Sequence, residues 1–205
     1  MKSNHLAAGH DAETLQYYQT HADTFISGTA SADMEATRRR FLKELPPGAR
    51  ILDFGCGSGR DTKAFLEAGY QADAVDGSEA ICRKTTELTG IPVRQMLFQE
   101  LKAVNEYDGI WACASILHLP RTELIDVLQR ISTALKPGGV LYTSFKYGTS
   151  EGIRNGRYFT DFTEDTLKAF LTQVPTLQVF DCWLTQDVRS GRQEERWINI
   201  LARRK

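Results

Sequence analysis

The sequence predicts a doubly wound α/β fold, in which helices cover both faces of a mostly parallel sheet. Between residues 48 and 146, short apolar segments typical of strands alternate with segments that have the periodicity of helices. The connections between them are short, and such alternation places the strands in one parallel sheet. The last two apolar segments have no helix between them, so we expect that pair to be antiparallel. We therefore predict a seven-stranded sheet with helices on both faces.

The N-terminal part of the chain has a helical pattern. Leu15, Tyr18 and Ala22 recur near the spacing of a helical turn. A second helix is predicted between the polar stretch 27–32 and Pro46, because the sequence Pro-Pro-Gly that begins there ends a helix. We expect these helices to form a cap ahead of the first strand.

The strands and helices of the core follow in alternation. The predicted strands span residues 50–54, 70–75, 91–96, 107–112, 140–145, 177–184 and 196–202. The predicted connecting helices span residues 60–68, 79–89, 120–135 and 164–173. Residues 146–162 are predicted to be irregular, and long segments of this kind often bind or cover ligands.

Composition argues against several classes of protein. Lys and Arg total 25 and Asp and Glu total 26, so the formal charge is −1, unlike that of a strongly basic nucleic-acid-binding protein. The N-terminus lacks the apolar segment of a signal peptide. The longest apolar run, residues 110–119, is about half the roughly 20 residues that a membrane span needs. Four cysteines without Cys-x-x-Cys spacing indicate no metal site, so we expect a cytoplasmic protein with no metal and no membrane partner.

A glycine-rich loop follows the first predicted strand. Gly55, Gly57 and Gly59 allow a tight turn into the next helix and a close approach of a ligand to the main chain. The dinucleotide fingerprint Gly-x-Gly-x-x-Gly is not matched, because Arg60 occupies its last position. Asp53 precedes the loop, and its carboxylate would repel a pyrophosphate but would suit a ligand with an ammonium group.

A second carboxylate ends the second predicted strand. Asp76 lies 23 residues after Asp53, at a strand end where ligands of doubly wound sheets bind. A carboxylate in that place can accept hydrogen bonds from both hydroxyls of a ribose. Alone, it would be interpreted as a residue that caps the next helix, but beside the glycine-rich loop it favours a nucleoside ligand.

These motifs together resemble one known family. Asp53–Gly59, Asp76, Tyr107–Ile110 and Leu135–Val140 are similar, in order and in spacing, to the motifs of class I S-adenosylmethionine-dependent methyltransferases. The sequence Gly-Arg-Asp that ends the glycine-rich loop resembles the small-molecule branch related to tellurite-resistance methyltransferases. The resemblance implies the strand order 3-2-1-4-5-7-6 with the last strand antiparallel.

The resemblance also implies a division of the chain and a set of cofactor contacts. We expect a single methyltransferase domain over residues 1–205, with a helical cap at 1–47, a cofactor-binding core at 48–146 and an acceptor-side region at 147–205. The contacts implied for S-adenosylmethionine, and for its product S-adenosylhomocysteine, are Asp53, Gly55, Cys56, Gly57, Ser58 and Gly59 at the methionine part, Asp76 at the ribose, Gly77 and Ser78 beside the adenosine, Phe98 and Gln99 at the adenine, and Cys113, Ala114 and Ser115 on the methyl-donor side.

Several residues are candidates for the acceptor side. His118 follows the fourth strand and could act as a general base, although a histidine that packs at the start of a helix is the simpler interpretation. Tyr18 could contact the sulfonium through its aromatic face, or could only pack the first helix in place. Lys146, Arg157 and Tyr158 lie in the segment after the fifth strand, and they favour an anionic or aromatic acceptor unless they are simply solvated.

The acceptor itself is left open between three hypotheses. The segment after the fourth strand lacks the Asn/Asp-Pro-Pro-Tyr/Phe and Pro-Cys signatures of DNA methyltransferases, so we expect no DNA partner and a small-molecule acceptor with a nitrogen, oxygen or sulfur nucleophile. Residues 157–159, Arg-Tyr-Phe, faintly resemble a segment of tRNA wobble-uridine methyltransferases, which makes tRNA the alternative substrate. The third hypothesis is a protein that binds S-adenosylmethionine without catalysis.

Overall fold

The computed structural model describes residues 9–189 and 191–205, and within these residues the chain forms seven α-helices and nine strands. The helices are α1 (Gly9–Thr20), α2 (Ala22–Thr29), α3 (Glu35–Leu42), α4 (Arg60–Glu67), α5 (Glu79–Thr89), α6 (Arg121–Ala134) and α7 (Glu164–Leu171). The strands are β1 (Arg50–Phe54), β2 (Gln71–Asp76), β3 (Val93–Gln95), β4 (Tyr107–Ala112), β5 (Leu135–Lys146), β6 (Glu151–Arg154), β7 (Arg157–Thr160), β8 (Leu177–Gln186) and β9 (Arg196–Arg204). Residues 1–8 of the predicted cap lie outside the described residues.

One sheet organises the molecule. In the part of the chain that the structure describes, seven strands form it in the order β3-β2-β1-β4-β5-β9-β8. Neighbours from β3 to β5 are parallel, whereas β9 is antiparallel to both β5 and β8. The predicted fold class and strand order are therefore confirmed. The order reverses between β1 and β4, so the carboxyl ends of these strands border the crevice where such sheets bind ligands.

Both faces of the sheet are buried under helices. One apolar cluster includes Ile110 of β4, Leu124 of α6 and Leu167 of α7. On the other face, the ring of Trp111 lies 5.3 Å from that of Phe41 in α3 and 5.5 Å from that of Phe65 in α4. Because successive side chains of a strand point to opposite faces, β4 contributes to both clusters. None of the described helices has the length and apolar character required to cross a bilayer.

The segment after β5 is not irregular, and that prediction was wrong. Strands β6 and β7 form an antiparallel hairpin, and its turn residues Asn155 and Gly156 have φ values of 51° and 74°. Positive φ at both central positions is typical of the tightest hairpin turns, which favour Asn-Gly. The hairpin packs on α1, where Tyr158 N–H donates to Oγ1 of Thr14 at 2.9 Å. It therefore covers the carboxyl end of the sheet.

The N-terminal helices also differ from the prediction. The expected first helix is divided into α1 and α2 at His21, where ψ is 21°. Oγ1 of Thr20 donates to the carbonyl of Gln16 at 2.8 Å, and Nδ1 of His21 lies 2.9 Å from the carbonyl of Tyr17. Side chains that bond to the preceding turn compete with the regular helix, which explains the interruption.

Candidate active site

The glycine-rich loop brings bare main chain to the carboxyl end of β1. Gly55, Gly57 and Gly59 have φ values of 87°, 54° and 71°. A Cβ atom added at Gly55 would lie 2.4 Å from Cβ of Ser115, and one at Gly57 would lie 3.0 Å from the ring of Phe25. Glycine is therefore required both for the backbone conformation and for the close approach of the segment after β4.

Asp76 is held at the end of β2 by main-chain donors. Gly57 N–H donates to its Oδ2 at 3.1 Å, and Ser78 N–H donates to its Oδ1 at 2.9 Å. Burial raises the pKa of Asp76, and these donors offset part of that effect. A carboxylate has about four lone-pair positions, so the oriented group can still accept hydrogen bonds from ligand hydroxyls.

Asp53 is a buried carboxyl group beside the loop. It is 2% exposed, and Oγ1 of Thr62 donates to its Oδ2 at 2.5 Å. Burial, together with the nearby charge of Asp61, raises the pKa of Asp53 to about 7. Arg38 and Arg60 instead pair with Asp61, at 2.7 Å and 2.6 Å. Asp53 thus has a hydroxyl donor but no ion pair with any described residue.

Asp61 has a structural function that the sequence did not indicate. Burial acts to raise its pKa, but the guanidinium groups of Arg60 and Arg38 hold the pKa of this carboxyl below its usual value. Nε1 of Trp111 also donates to it at 3.0 Å. Because Arg38 belongs to α3, this buried group ties the N-terminal helices to the loop and to the core.

Phe98 and Gln99 lie in a short 3₁₀ turn that follows β3. The centroid of the Phe98 ring lies 4.9 Å from that of Phe54, edge to face. Nε2 of Gln99 donates to Oε2 of Glu123 at 3.0 Å, which orients the amide from α6. An apolar ring beside an oriented amide can bind a planar heterocycle.

The segment after β4 separates the two ends of the site. Oγ of Ser115 donates to the carbonyl of Phe54 at 2.6 Å, which ties this segment to β1. Burial raises the pKa of the Cys113 thiol to about 12 and raises that of Cys56 as well. Since the thiolate is the nucleophilic form of cysteine, neither thiol is activated for covalent chemistry.

His118 is buried between α1 and the β6–β7 hairpin. Its Nδ1 lies 2.6 Å from the carbonyl oxygen of Tyr158, and its Nε2 lies 2.8 Å from the hydroxyl of Tyr18. A carbonyl oxygen only accepts, so Nδ1 carries the proton and Nε2 accepts from Tyr18. Burial, with the charges of Arg157 and Lys146 nearby, lowers the pKa of His118 to about 4. The imidazole is neutral, and its one lone pair is already bonded.

Cationic side chains surround the far end of the site. Burial, together with neighbouring arginine charges, lowers the pKa of Lys146 to about 8. Lys146 also forms an ion pair with Glu195. The guanidinium of Arg157 lies 4.4 Å from the ring centroid of Tyr17 and 5.1 Å from that of Phe159. This end is therefore positive and aromatic.

The loop between β8 and β9 contributes residues that sequence reasoning missed. Asp187, Arg189 and Arg192 of the loop line the same space, as does Trp197 at the start of β9. Asp187 is 5% exposed and pairs with Arg189, and Nε1 of Trp197 donates to its Oδ2 at 3.2 Å. Only the predicted topology could have placed this loop at the site. An antiparallel last strand begins beside the carboxyl end of β5, where the backbones of Lys146 and Trp197 are register partners.

One cavity of about 230 Å³ connects these groups. The residues predicted for the site that line it are Tyr18, Asp53, Gly55, Cys56, Gly57, Ser58, Asp76, Gly77, Phe98, Gln99, Cys113, Ala114, Ser115, His118, Lys146 and Arg157. The other three predicted residues do not line this cavity. Gly59 begins α4 against Thr85, Ser78 caps α5 through Ile81 N–H, and the hydroxyl of Tyr158 lies outside the cavity, where it donates to Glu151. None of the described residues form a cluster of three potential metal ligands.

Comparison with known proteins agrees with this geometry. Residues 51–139 match a family described as a methyltransferase domain. This match covers less than half of the chain, and together with the sheet order it supports a class I S-adenosylmethionine-dependent methyltransferase. The match covers β1 and the glycine-rich loop at one end and reaches the glycines that precede the apolar part of β5 at the other. The resemblance predicted from the motifs is confirmed.

The individual relatives are distant from this chain. The ubiquinone biosynthesis O-methyltransferase of Xanthomonas campestris is 26% identical over 106 residues, which cover 48% of this chain and 43% of that protein. The Bacillus subtilis protein YqeM is 25% identical over 140 residues, which cover 63% of this chain and 57% of that protein. The chain thus spans about half the length of the curated relatives it matches.

A solved structure matches nearly the whole of this chain. The crystal structure of Burkholderia thailandensis 1,6-didemethyltoxoflavin-N1-methyltransferase, which contains 1,6-didemethyltoxoflavin and S-adenosylhomocysteine, superposes with a TM-score of 0.76. It is 24% identical, and the match covers 98% of this chain and 92% of that chain. At this identity the likeness shows that the two chains have the same fold.

Proposed function

We propose that the protein transfers a methyl group from S-adenosylmethionine to a nitrogen, oxygen or sulfur atom of a small molecule. The observation that carries this proposal is a single cavity that extends from Asp53 and Asp76 to His118 and Arg157. One end offers carboxyl groups and bare main chain, and the other offers aromatic and cationic side chains. A donor and an acceptor can be aligned in one such space, as methyl transfer requires.

The chemistry of the first end fits the cofactor. Asp53 is a buried carboxyl group that forms no ion pair with a described residue. The ammonium group of the methionine part would form that ion pair. Asp76 is oriented to accept a pair of neighbouring hydroxyls, and Phe98 with Gln99 would hold the adenine. When bound, S-adenosylmethionine supplies a methyl group on a positively charged sulfur, which is already an activated electrophile.

We assign His118 a role that acts through Tyr18. The lone pair on Nε2 of His118 accepts from the Tyr18 hydroxyl, so it fixes the direction of that O–H bond. The oxygen of Tyr18 accepts from the Arg157 side chain and retains one lone pair that can accept a hydrogen bond from the acceptor. The low pKa of His118 disfavours an imidazolium ion. The site therefore suits a nucleophile that ionises readily more than one that needs a strong base.

The placement of residues 157–159 favours a small molecule over tRNA. Phe159 is 6% exposed and the guanidinium of Arg157 lies within the cavity, so these side chains do not form an exposed surface for a polynucleotide. The small-molecule proposal is consistent with the solved relative that contains 1,6-didemethyltoxoflavin. A cofactor-binding protein without catalysis remains the second candidate, and turnover distinguishes it.

The test has two steps. First, S-adenosylmethionine and S-adenosylhomocysteine are titrated into protein freed of bound ligand, and we expect micromolar binding, about −8 kcal/mol. Second, transfer of a labelled methyl group is measured with a panel of small nitrogen, oxygen and sulfur acceptors, and with bulk tRNA at low and high salt. Folded protein that binds neither compound contradicts the proposal. Binding without transfer to any acceptor supports the non-catalytic candidate, and methylation of tRNA alone supports the alternative substrate.

A further inference from the structure

Three cationic groups converge on one aromatic ring at the far end of the cavity. The ring centroid of Phe159 lies 5.9 Å from Nζ of Lys146, 4.8 Å from the guanidinium carbon of Arg154 and 5.1 Å from that of Arg157. The ring of Phe159 is 6% exposed, and the Lys146 and Arg154 side chains beside it are 16% and 39% exposed. Like charges at such distances repel one another unless anions lie between them.

The protein neutralises most of these charges itself. Arg154 pairs with Asp161 at 2.5 Å, and Lys146 pairs with Glu195. In the loop between β8 and β9, Arg189 pairs with Asp187 at 2.5 Å, and Arg192 pairs with Glu195 at 2.5 Å. Two carboxylates, Asp187 and Glu195, thus form ion pairs with three cations at this rim of the cavity, namely Lys146, Arg189 and Arg192.

Arg157 is the exception. Its guanidinium forms no ion pair with a described residue, and its buried Nε has no hydrogen-bond partner among them. The group is held by rings instead, 4.4 Å from the centroid of Tyr17 and 5.9 Å from that of Tyr18. Tyr18 takes one hydrogen bond from the Arg157 side chain. Aromatic faces stabilise a cation but do not use its other hydrogen-bond donors, so Nε is left without a partner in the described part of the chain. A buried donor left unsatisfied costs free energy that a ligand can recover.

We propose that Arg157 binds an oxyanion, a carboxylate or a phosphate, carried by the methyl acceptor. The inference rests on the proposed function, and it names the class of substrate for that site. A guanidinium fork matches an oxyanion with two hydrogen bonds, which fixes the orientation of the molecule as well as its charge. The rings of Tyr18, Phe159 and Trp197 would surround the adjoining part of such a molecule.

The oxyanion bound by Arg157 could also come from the cofactor, because the methionine part of S-adenosylmethionine carries a carboxylate. Arg157 belongs to the hairpin that bonds to His118, whereas Asp53 and the loop 55–59 belong to the carboxyl end of β1. This placement favours the acceptor. 5′-Methylthioadenosine, which lacks the amino-acid part of the cofactor, separates the two sources by experiment.

The experiment uses benzoate and its neutral analogue benzamide as probes of the full-length protein saturated with S-adenosylhomocysteine. Binding is followed by calorimetry and by tryptophan fluorescence, since Trp197 lines the cavity. We expect benzoate to bind at least about tenfold more tightly than benzamide. Arg157→Gln should abolish that preference. Arg196→Gln is the matched control, because it removes one positive charge beside Trp197 from a side chain that does not line the cavity. It should leave the preference unchanged.

Defined outcomes overturn the proposal. Equal binding of benzoate and benzamide by the wild-type protein, or an unchanged preference in Arg157→Gln, contradicts it. A large loss of affinity for S-adenosylhomocysteine in Arg157→Gln, with 5′-methylthioadenosine unaffected, assigns the oxyanion to the cofactor instead. If Arg157→Gln does not fold, Arg157→Met keeps the apolar contact with Tyr17 and replaces it in the test. Failure of the wild-type protein to bind S-adenosylhomocysteine contradicts the proposed function alone, and the benzoate comparison is then made on the cofactor-free protein.

Discussion

The hydroxyl of Tyr18 lies 2.8 Å from Nε2 of His118 and joins the first helix to the segment that follows β4. The second nitrogen of the imidazole bonds to the carbonyl of Tyr158 in the β6–β7 hairpin. One histidine therefore connects three parts of the chain that are far apart in sequence. Since both of its nitrogens are bonded, any effect of His118 on the reaction passes through Tyr18.

Loss of either side chain should lower turnover without a large effect on cofactor affinity. We expect His118→Ala and Tyr18→Phe each to reduce kcat about 10- to 100-fold, because the first removes the group that orients the Tyr18 hydroxyl and the second removes that hydroxyl. The double variant should be little worse than either single one, since the two groups act as a unit. The acceptor found by screening is used for kcat, and calorimetry gives the affinity for S-adenosylhomocysteine.

Tyr17→Phe is the matched control, because its hydroxyl is not bonded to His118. It should retain most of the activity. Multiplicative effects of the two single variants would show that His118 and Tyr18 act independently and would contradict the role of His118 through Tyr18.

The buried neutral imidazole makes stability depend on pH. The pKa of His118 falls from the usual 6.5 to about 4 in the folded protein, chiefly because of burial. Between these values the unfolded chain binds a proton that the folded protein does not, so this contribution is complete above pH 6.5 and is lost as the pH falls toward 4. At pH 5 the loss should be about 2 kcal/mol in the free energy of unfolding relative to pH 8.

Urea unfolding of the wild-type protein and of His118→Ala at pH 8 and pH 5 measures the contribution of His118 to the free energy of unfolding. The difference between the two proteins should shrink at pH 5, because the variant has no imidazole to protonate. A constant difference would mean that His118 titrates normally in the folded state. The comparison between variants is needed because Asp53, whose pKa is raised, contributes with the opposite sign between about pH 4 and pH 7.

The part of the site formed by β1, β2 and β4 could be predicted because it depends on local signals. Asp53 and Asp76 follow apolar segments directly, and the glycines mark the intervening turn. In a parallel sheet the carboxyl ends of neighbouring strands meet at one edge, so sequence position fixes their place in space. The predicted strands match the observed ones to within a few residues, apart from β5. That strand begins at Leu135 because the Lys-Pro-Gly-Gly sequence forms an irregularity within it.

The acceptor end could not be predicted in the same way because it is formed by long-range contacts. Arg157 lies against Tyr17, and the two are separated by most of the chain. Arg189 and Arg192 reach the cavity only because β9 is antiparallel and begins beside the end of β5. Neither relationship leaves a periodic pattern in the sequence. The Asn-Gly dipeptide at 155–156 was the one local signal of the hairpin that carries Arg157.

Asp76→Ala should weaken cofactor binding. Removal of a carboxylate elsewhere on the same strand should leave the cofactor affinity nearly unchanged. The loss in Asp76→Ala should be about 1.5–3 kcal/mol, since a charged acceptor of ligand hydroxyls disappears. Asp73→Ala is the control, because Asp73 lies on the same strand and pairs with Arg50 while 39% exposed, a contact that contributes little. Calorimetry with S-adenosylhomocysteine measures both variants. Unchanged affinity in Asp76→Ala would place the ribose elsewhere.

Cofactor affinity should decrease as the pH falls below neutrality. Burial and the charge of Asp61 raise the pKa of Asp53 to about 7 in the ligand-free protein. An ammonium group binds the ionised carboxylate, so below pH 7 binding must release a proton, and the affinity should fall by up to about tenfold per pH unit. Titrations of S-adenosylhomocysteine from pH 8 to pH 5.5 test this. Asp53→Asn should bind more weakly at pH 8 and should lose this pH dependence, whereas an equally steep dependence in the variant would assign it to another group.

Two glycines with nearly the same φ should respond differently to alanine. Gly55 and Gly69 have φ values of 87° and 85°, so a side chain strains the backbone at either position by about 1–2 kcal/mol. At Gly69 the added Cβ meets no atom within 4 Å, whereas at Gly55 it would lie 2.4 Å from Cβ of Ser115. Gly55→Ala should therefore cost a further 1–3 kcal/mol, roughly, through displacement of the segment after β4.

Urea unfolding gives the two free energies, and calorimetry with S-adenosylhomocysteine shows whether the site survives. Gly69→Ala should bind the cofactor normally because its strain lies at the end of α4, away from the cavity. Gly55→Ala should lose both stability and affinity, since Ser115 lines the cavity and is tied to Phe54. Equal stabilities of the two variants would mean that the segment after β4 moves freely, and the close approach of Ser115 to the loop would then have no role in forming the site.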